Sequence, residues 1–221
     1  TLSSSSAASD VYKRQIHTST SEVYGTALRE PIDEEHPLQG QSPYSASKIG
    51  ADKMAESYWR SFETEVVTLR PFNTFGPRQS ARAFIPTIIC QALDRAEIRL
   101  GALDPLRDMT FVSDTVAGYL AAAVTPGIAG ETINLGTGEA RSIGDFAARI
   151  LTLMNVDRPI VQEASRMRPA KSEVGKLVSD NAKARRLMGW SPTVGVDEGL
   201  HATIEFVAAH RHLYRTTTYT V

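Results

Sequence analysis

Apolar positions along the chain switch between two spacings, and the switches outline alternating strands and helices. Short β-branched runs, Val66-Val67-Thr68-Leu69 and Thr132-Ile133-Asn134-Leu135, predict buried strands. Ile16-His17-Thr18-Ser19 and Ile98-Arg99-Leu100 predict two more, and Arg158 to Val161 a short extended piece. Ile49, Ala51, Met54, Ala55 and Tyr58 recur at helical spacing and predict a helix to about Phe62, opened by Ser42 near the cap and Pro43 in the first turn. Further helices are predicted from Phe84 to about Arg95, Asp114 to Ala123, Ser142 to Met154, Asp180 to Met188 and Asp197 to about His210, with Gly189 and Pro192 stopping the fourth of these. The segments Pro31 to Gln41 and Phe72 to Ala83 are polar and rich in Pro, Gly or Asn, and predict loops. This alternation means an α/β fold.

The first fifteen residues break the pattern. Thr1 to Asp10 is low-complexity and has no apolar period, so residues 1–15 are expected to form a disordered or non-native extension. No apolar core follows a basic start, so these residues are not expected to be a signal peptide. At 221 residues and 42% hydrophobic content the chain holds one substantial core or two small ones. Mean hydropathy is −0.21, and no apolar run approaches the roughly 20 residues a membrane span needs, so no membrane partner is expected. A net charge of −1 offers no broad field for nucleic acid. Cys90 is the only cysteine, which rules out an internal disulfide and fits a reducing cytoplasm; its setting, Pro86 to Leu93, reads as a buried helix face. His17, His36, His201, His210 and His212 show no ligand spacing with Cys or acids, so no metal is expected.

Chemistry is concentrated in two motifs about twenty residues apart. Tyr44 and Lys48, four residues apart, lie on one face of the predicted helix. An ammonium near a phenol favours the phenolate, which makes the tyrosine a general base for a hydroxyl proton. Thr20 supplies a second hydroxyl, and Glu22 a carboxylate that simple hydride transfer does not require. Gly136-Thr137-Gly138 lacks a third glycine, since Arg141 stands there, and reads as a strand-to-loop turn.

Tyr and Lys at this spacing are common on helices, but here Ser19-Thr20-Ser21-Glu22-Val23-Tyr24-Gly25 precedes them. Arg70-Pro71-Phe72-Asn73-Thr74-Phe75-Gly76-Pro77-Arg78 follows. Together, and in this order, the motifs resemble the extended short-chain dehydrogenase/reductase family, in its nucleotide-sugar epimerase and dehydratase branch. The resemblance runs from about Ile16 to about the C-terminus. It implies a Rossmann-like doubly wound parallel sheet with a small substrate-binding lobe. Residues 16–75 would belong to the NAD-binding domain. Residues 76–221 would form mainly the lobe, with segments around 108–135 returning to the first domain. The family begins with a Gly-rich strand-turn-helix and an acidic ribose ligand, neither of which is in this sequence. The chain is therefore expected to match the C-terminal two-thirds of such an enzyme, lacking on the order of 100 residues at about 30 per strand-helix unit. It is expected to be inactive alone while its full-length parent is active, and the alternative of another class is a non-catalytic nucleotide-sugar-binding fragment.

The resemblance also implies roles. Tyr44 is the acid/base at the sugar C4 hydroxyl. Lys48 lowers its pKa and bonds the nicotinamide ribose, Pro71 belongs with the cofactor-binding residues, and Thr20 bonds O4. The cofactor is NAD, with NADP left open. Asn73 contacts the nucleotide sugar, Arg107 its diphosphate, and Arg168 and Glu173 the nucleotide end; Arg82 is a further substrate candidate. Asp108 and Asp114 fix loops and cap the following helix, and Trp190 and Pro192 pack the lobe. The parent is expected to dimerise through the Tyr44 helix and its neighbour, which leaves a dimer of this fragment in doubt. Glu22 points to a 4,6-dehydratase, in which a carboxylate removes the C5 proton of a 4-keto sugar as water leaves C6, with Ser21 helping to protonate the leaving hydroxyl. Thr-Ser-Glu occurs in GDP-mannose 4,6-dehydratases and also in UDP-glucuronate decarboxylases, whose Tyr is typically followed by Asp-Glu-Gly where this chain has Ser45-Ala46-Ser47. The string Pro37 to Lys48 most resembles bacterial 4,6-dehydratases acting on nucleotide-linked N-acetylglucosamine in legionaminic-acid-type routes. A 4-epimerase or a decarboxylase stays open as the alternative, and the substrate carries GDP or UDP.

Overall fold

The computed structural model describes residues 14–167 and 174–214. In chain order the strands are β1 (Gln15–Thr18), β2 (Val66–Pro71), β3 (Asn73–Phe75), β4 (Ile98–Leu100), β5 (Leu106–Phe111), β6 (Thr132–Leu135), β7 (Ala140–Ser142), β8 (Ile160–Gln162) and β9 (Lys176–Leu177). The helices are α1 (Pro43–Phe62), α2 (Phe84–Asp94), α3 (Val112–Val124), α4 (Ile143–Leu153), α5 (Ala182–Met188) and α6 (Val196–Ala209), with short 3-10 turns at Ser21–Tyr24, Ala164–Arg166 and Arg211–Leu213. The α/β alternation expected from the sequence is present.

Two sheets organise the chain. The first is all parallel, in the order β1-β2-β6, with Gln15 opposite Val66 and Thr68 opposite Thr132. One face is apolar, where Val67, Leu69, Ile133 and Leu135 meet α3 and α5, while alternation turns Thr68, Arg70 and Asn134 to the other face, toward α1. Val67, Leu69, Ala122, Ile133, Leu135, Ala184 and Trp190 form its core. Trp190, expected in the lobe, belongs instead to this first core, and its indole N–H donates to the Asp114 carbonyl at 2.8 Å. In the second sheet β3, β7 and β9 all pair with β5, β7 antiparallel to it. The larger core lies here, where Phe75, Ile85, Ile88, Ile89, Met109, Phe146, Ile150, Leu200 and Val207 bring α2, α4 and α6 together. Cys90 is buried in this core, and burial pushes its thiol pKa up.

The chain crosses between the sheets three times. β2 leads directly into β3 through buried Phe72, the chain returns from β5 through α3 to β6, and the turn at Gly136-Thr137-Gly138 carries it from β6 to β7. β5 itself pairs within the second sheet. A third cluster, Val23, Tyr24, Ile32, Phe72, Val174 and Leu177, fills the junction.

Two helix starts follow their sequence signals. Ser42 caps α1 in a reciprocal box with Ser45, with Pro43 in the first turn, and Ser142 does the same for α4 with Asp145. α5 ends at Gly189, in the left-handed conformation. Of the extension expected over residues 1–15, Gln15 is the first residue of β1 and residues 1–13 lie outside the described ones. No helix among the described residues is long and apolar enough to cross a membrane.

Candidate active site

Parallel pairing puts the carboxyl ends of β1, β2 and β6 at one end of the first sheet, the place where open α/β sheets bind ligands. β1 delivers the chain to Thr20, which caps the 3-10 turn Ser21–Tyr24 by accepting a hydrogen bond from the Glu22 N–H at 3.2 Å. That bond uses a lone pair of Thr20 Oγ1 and leaves its proton for another acceptor. Ser21, Val23 and Tyr24 are buried and fix the turn, while Glu22 stays partly exposed. Gly25 closes it at φ +61°, and a Cβ there would lie 2.9 Å from Gln39 Cβ, which is why glycine stands in that place.

Tyr44 sits in the first turn of α1 with a half-exposed ring. One turn on, Lys48 Nζ donates to the Thr18 carbonyl at 3.1 Å, at the carboxyl end of β1. Pro71 ends β2, and Asn73 opens β3 two residues later.

A cavity of about 320 Å³ lies beside the Glu22 turn. Glu22, Asn73, Arg82 and Arg107 of the predicted residues line it; Thr20, Ser21, Tyr44, Lys48 and Pro71 do not. Arg82 is exposed, whereas Arg107 is buried in β5 and donates to the Leu106 carbonyl at 3.0 Å. Arg168 and Glu173 lie outside the described residues. Two arginines that sequence reasoning missed join the lining: Arg99 from β4 and Arg166 from a 3-10 turn. Alternation in Ile98-Arg99-Leu100 does put Arg99 on the face opposite the two buried residues, but its convergence with Arg107 is a tertiary event. Four arginines and a single carboxylate, Glu22, are the charged groups of the lining; Arg99 and Arg166 also pair with Glu97 and Glu163 outside it, each at 2.6 Å, and the positive excess that is left suits an anion. Gln79 also lines it; its Nε2 donates to the Thr74 carbonyl at 2.8 Å, which sets the amide orientation and leaves Oε1 buried without a hydrogen-bond partner. Asn73 Oδ1 is buried and unpartnered as well.

The aspartates next to this site hold backbone. Asp108 Oδ1 accepts from Thr137 N and Oγ1 at 2.8 and 2.6 Å, and Oδ2 from Gly138 N and Ser179 N at 2.9 and 3.1 Å. Burial nevertheless holds its carboxyl above the usual range, against the lowering effect of those bonds. Gly136-Thr137-Gly138 is thus a strand-to-loop turn clamped on Asp108. Asp114, expected to cap α3, accepts instead from Thr193 N, Thr193 Oγ1 and Val194 N at 3.0, 2.8 and 2.9 Å, because it sits inside the first turn and faces the segment after Trp190. Among the described residues, no three His, Cys, Asp or Glu side chains are grouped so as to hold a metal.

The chain matches the family described as GDP-mannose 4,6 dehydratase over residues 4–203. The mouse dTDP-D-glucose 4,6-dehydratase is 28% identical over 203 residues, 90% of this chain and 57% of that protein. UDP-glucuronic acid decarboxylase 1 of Xenopus tropicalis is 32% identical over 214 residues, 93% of this chain and 49% of the relative. The structure of UDP-glucuronic acid 4-epimerase from Bacillus cereus, in complex with UDP-glucuronic acid and NAD, superposes with a TM-score of 0.82 at 29% identity, covering 88% of this chain and 61% of the other. This chain thus spans from about half to about three fifths of the length of these relatives.

Proposed function

The chain belongs to the GDP-mannose 4,6 dehydratase family, and from that premise we propose that the whole protein is an NAD-dependent nucleotide-sugar 4,6-dehydratase acting on a GDP- or UDP-linked hexose or N-acetylhexosamine. The observation that carries the reading is Glu22: a carboxylate in the lining of an arginine-rich cavity, two residues after the hydroxyl of Thr20. Epimerisation at C4 needs no such base, whereas elimination across C5 and C6 does.

Tyr44 takes the proton from the sugar C4 hydroxyl, with Lys48 one helical turn away and Thr20 donating its free hydroxyl proton to O4. Glu22 then removes the C5 proton of the 4-keto sugar while water leaves C6. Arg82, Arg99, Arg107 and Arg166 hold the diphosphate. Arg168 and Glu173 serve the nucleotide end, and Asn73 and Gln79 accept hydrogen bonds from donor groups of the ligand. The residues present fit the nicotinamide end of a dinucleotide: an exposed phenol and a lysine at the carboxyl end of β1, with Pro71 at the same end of the sheet. NAD, when bound there, supplies the hydride acceptor for C4 and the hydride returned to C6. A homodimer through α1 is part of the proposal, supported by the exposed stripe Met54, Tyr58 and Phe62 on that helix.

The test is product mass. The whole protein is incubated with NAD and, in turn, GDP- and UDP-linked N-acetylglucosamine, GDP-mannose and UDP-glucuronate. Loss of one water, abolished by Glu22→Gln, is the expected outcome and names the nucleotide. Loss of carbon dioxide would replace the reading by the decarboxylase one, which the 32% identical relative favours. An unchanged mass with a new stereoisomer would make the protein an epimerase.

A further inference from the structure

We propose that Asp52 and Arg70 are positioning residues that set the rotation of α1 and lock Tyr44 and Lys48 against the Thr20–Glu22 turn. The proposal rests on the reading of those residues given above. Asp52 follows Lys48 by one helical turn and Tyr44 by two, so all three lie on one face of α1.

A helix usually takes its rotation from large apolar side chains buried against its neighbours. In α1 no large apolar side chain is fully buried: of its twenty residues only Ser45 and Asp52 are, while Ile49 and Trp59 are half-buried. A cavity of about 770 Å³ adjoins the helix, lined among others by Ile49, Asp52, Trp59, Thr68 and Arg70, so packing there is open. What fixes the helix at this point is directional bonding. Asp52 and Arg70 side chains are 4% and 7% exposed. Arg70 Nε and Nη2 lie 3.0 and 2.9 Å from Asp52 Oδ2, and His17 Nε2, from β1, lies 2.9 Å from Asp52 Oδ1. Arg70 Nη1 donates to the Tyr24 hydroxyl at 3.0 Å, and that hydroxyl donates to Asn134 Oδ1 at 2.7 Å. Asn134 Nδ2 in turn donates to the Ile32 carbonyl at 3.1 Å. The guanidinium also sits 5.0 Å from the Tyr24 ring centroid.

One bonded chain therefore runs from α1 through β1 and β2 to β6 and the residue two after Glu22. Burying such a pair is costly, and an apolar pair of the same volume would hold the helix to the sheet as firmly. What the ionic pair adds is direction: a rotation of α1 by one residue, about 100°, breaks every bond to Asp52 and turns Tyr44 and Lys48 away from β1.

The experiment measures acetylation of Lys48 in the whole protein by peptide mass spectrometry, with exposed Lys53 of the same helix as the internal control. Two variants are compared with wild type: Asp52→Asn, and the double replacement Asp52→Leu with Arg70→Met, which keeps the volume and serves if the single variant does not fold. At the usual net worth of one hydrogen bond, loss of the Lys48–Thr18 contact raises Lys48 labelling about fivefold. Lys53 labelling is expected to stay unchanged. Turnover by the whole protein carrying Asp52→Asn is expected to fall about tenfold to a hundredfold at unchanged KM, because that variant leaves Arg70 in place on Tyr24 and keeps the elements that line the arginine-rich cavity. Unchanged Lys48 labelling in a folded variant overturns the proposal. Wild-type protein without turnover on any nucleotide sugar would defeat the functional reading instead, while the labelling result still decides the role of Asp52 and Arg70.

Discussion

Replacing Asp108 by Asn is the sharpest probe of how the second sheet carries the site. Asp108 is fully buried in β5, directly after Arg107, and alternation sends the two side chains to opposite faces. Arg107 lines the cavity, and Asp108 clamps the turn after β6 and the backbone at Ser179. Asn has nearly the same shape but offers only one acceptor oxygen. If its amide nitrogen replaces Oδ2, the N–H groups of Gly138 and Ser179 both lose their acceptor. If it replaces Oδ1, only the Thr137 N–H is stranded, because the Thr137 hydroxyl already lies 3.1 Å from the Glu139 carbonyl and can donate there while accepting from the new amide. The second orientation is cheaper, and one stranded buried donor costs about 1–3 kcal/mol. Asp108→Ala strands all three N–H donors and is expected to cost roughly twice as much or more. For a chain of this length, 1 kcal/mol corresponds to a shift in Tm of about 2–4 °C. The assay is urea and thermal unfolding of wild type, Asn and Ala variants. The sign of the pH dependence is also set. The folded carboxyl is raised, so its contribution is fully present below the unfolded value of about 4 and is lost as pH rises through the folded one. The deficit of the Asn variant should therefore narrow as pH rises across that window. An Asn variant as stable as wild type, or a deficit that widens with pH, would refute the accounting of these four bonds.

Ser42→Ala removes the cap of α1 and one half of its box with Ser45, and should lower stability by about 1 kcal/mol, read as a drop in Tm. Arg107→Met keeps the volume in β5 but removes a cation from the cavity, and should weaken binding of UDP or GDP about tenfold or more, measured by calorimetric titration. Asp145 is held below the usual carboxylate range by hydrogen bonds from Ser142; its contribution is present above the unfolded value of about 4 and lost as pH falls through the folded one. Asp145→Asn should therefore flatten the acid limb of a Tm-against-pH curve.

What the sequence revealed depended on how local the cause was. Ser42-Pro43 and Ser142 announced their helices because a cap is a matter of a few neighbouring residues. Val66 to Leu69 and Thr132 to Leu135 read as strands because both of their faces are covered. β7 and β9, three and two residues long, carry no such pattern, and β3 was hidden in a stretch read as loop. Each exists because β5 offers an edge to pair with. The cavity was partly legible: Glu22, Asn73, Arg82 and Arg107 follow from motifs, whereas Arg99 and Arg166 converge on it only once β4 and the turn after β8 are in place. Asp114 was misread for a related reason. An Asp at a helix start looks like a cap, and nothing nearby in sequence reveals that its acceptors serve Thr193 and Val194, about eighty residues on.

The run from Val66 to Phe75 explains why the two halves of the site are mechanically one. β2 and β3 are nearly continuous, separated by Phe72, whose ring lies 6.4 Å from that of Tyr24 in the junction cluster. Within five residues this run carries Arg70, which holds α1 through Asp52; Pro71, at the end of the first sheet; and Asn73, in the cavity. Tyr24 closes the loop, because it bonds Arg70 and belongs to the same turn as Glu22. The helix bearing Tyr44 and Lys48, the turn bearing Thr20 and Glu22, and the arginine-lined cavity thus share one rigid reference. Burial holds the Tyr24 phenol at a pKa of about 12, so its hydroxyl keeps the proton it gives to Asn134 across the neutral range. Such a joint resists sliding better than apolar packing does, since its bonds are directional and each is saturated by a partner in a different element. On the proposed 4,6-dehydratase reading, an elimination that needs its acid/base and its C5 base on one sugar ring at the same time gains most from that kind of joint.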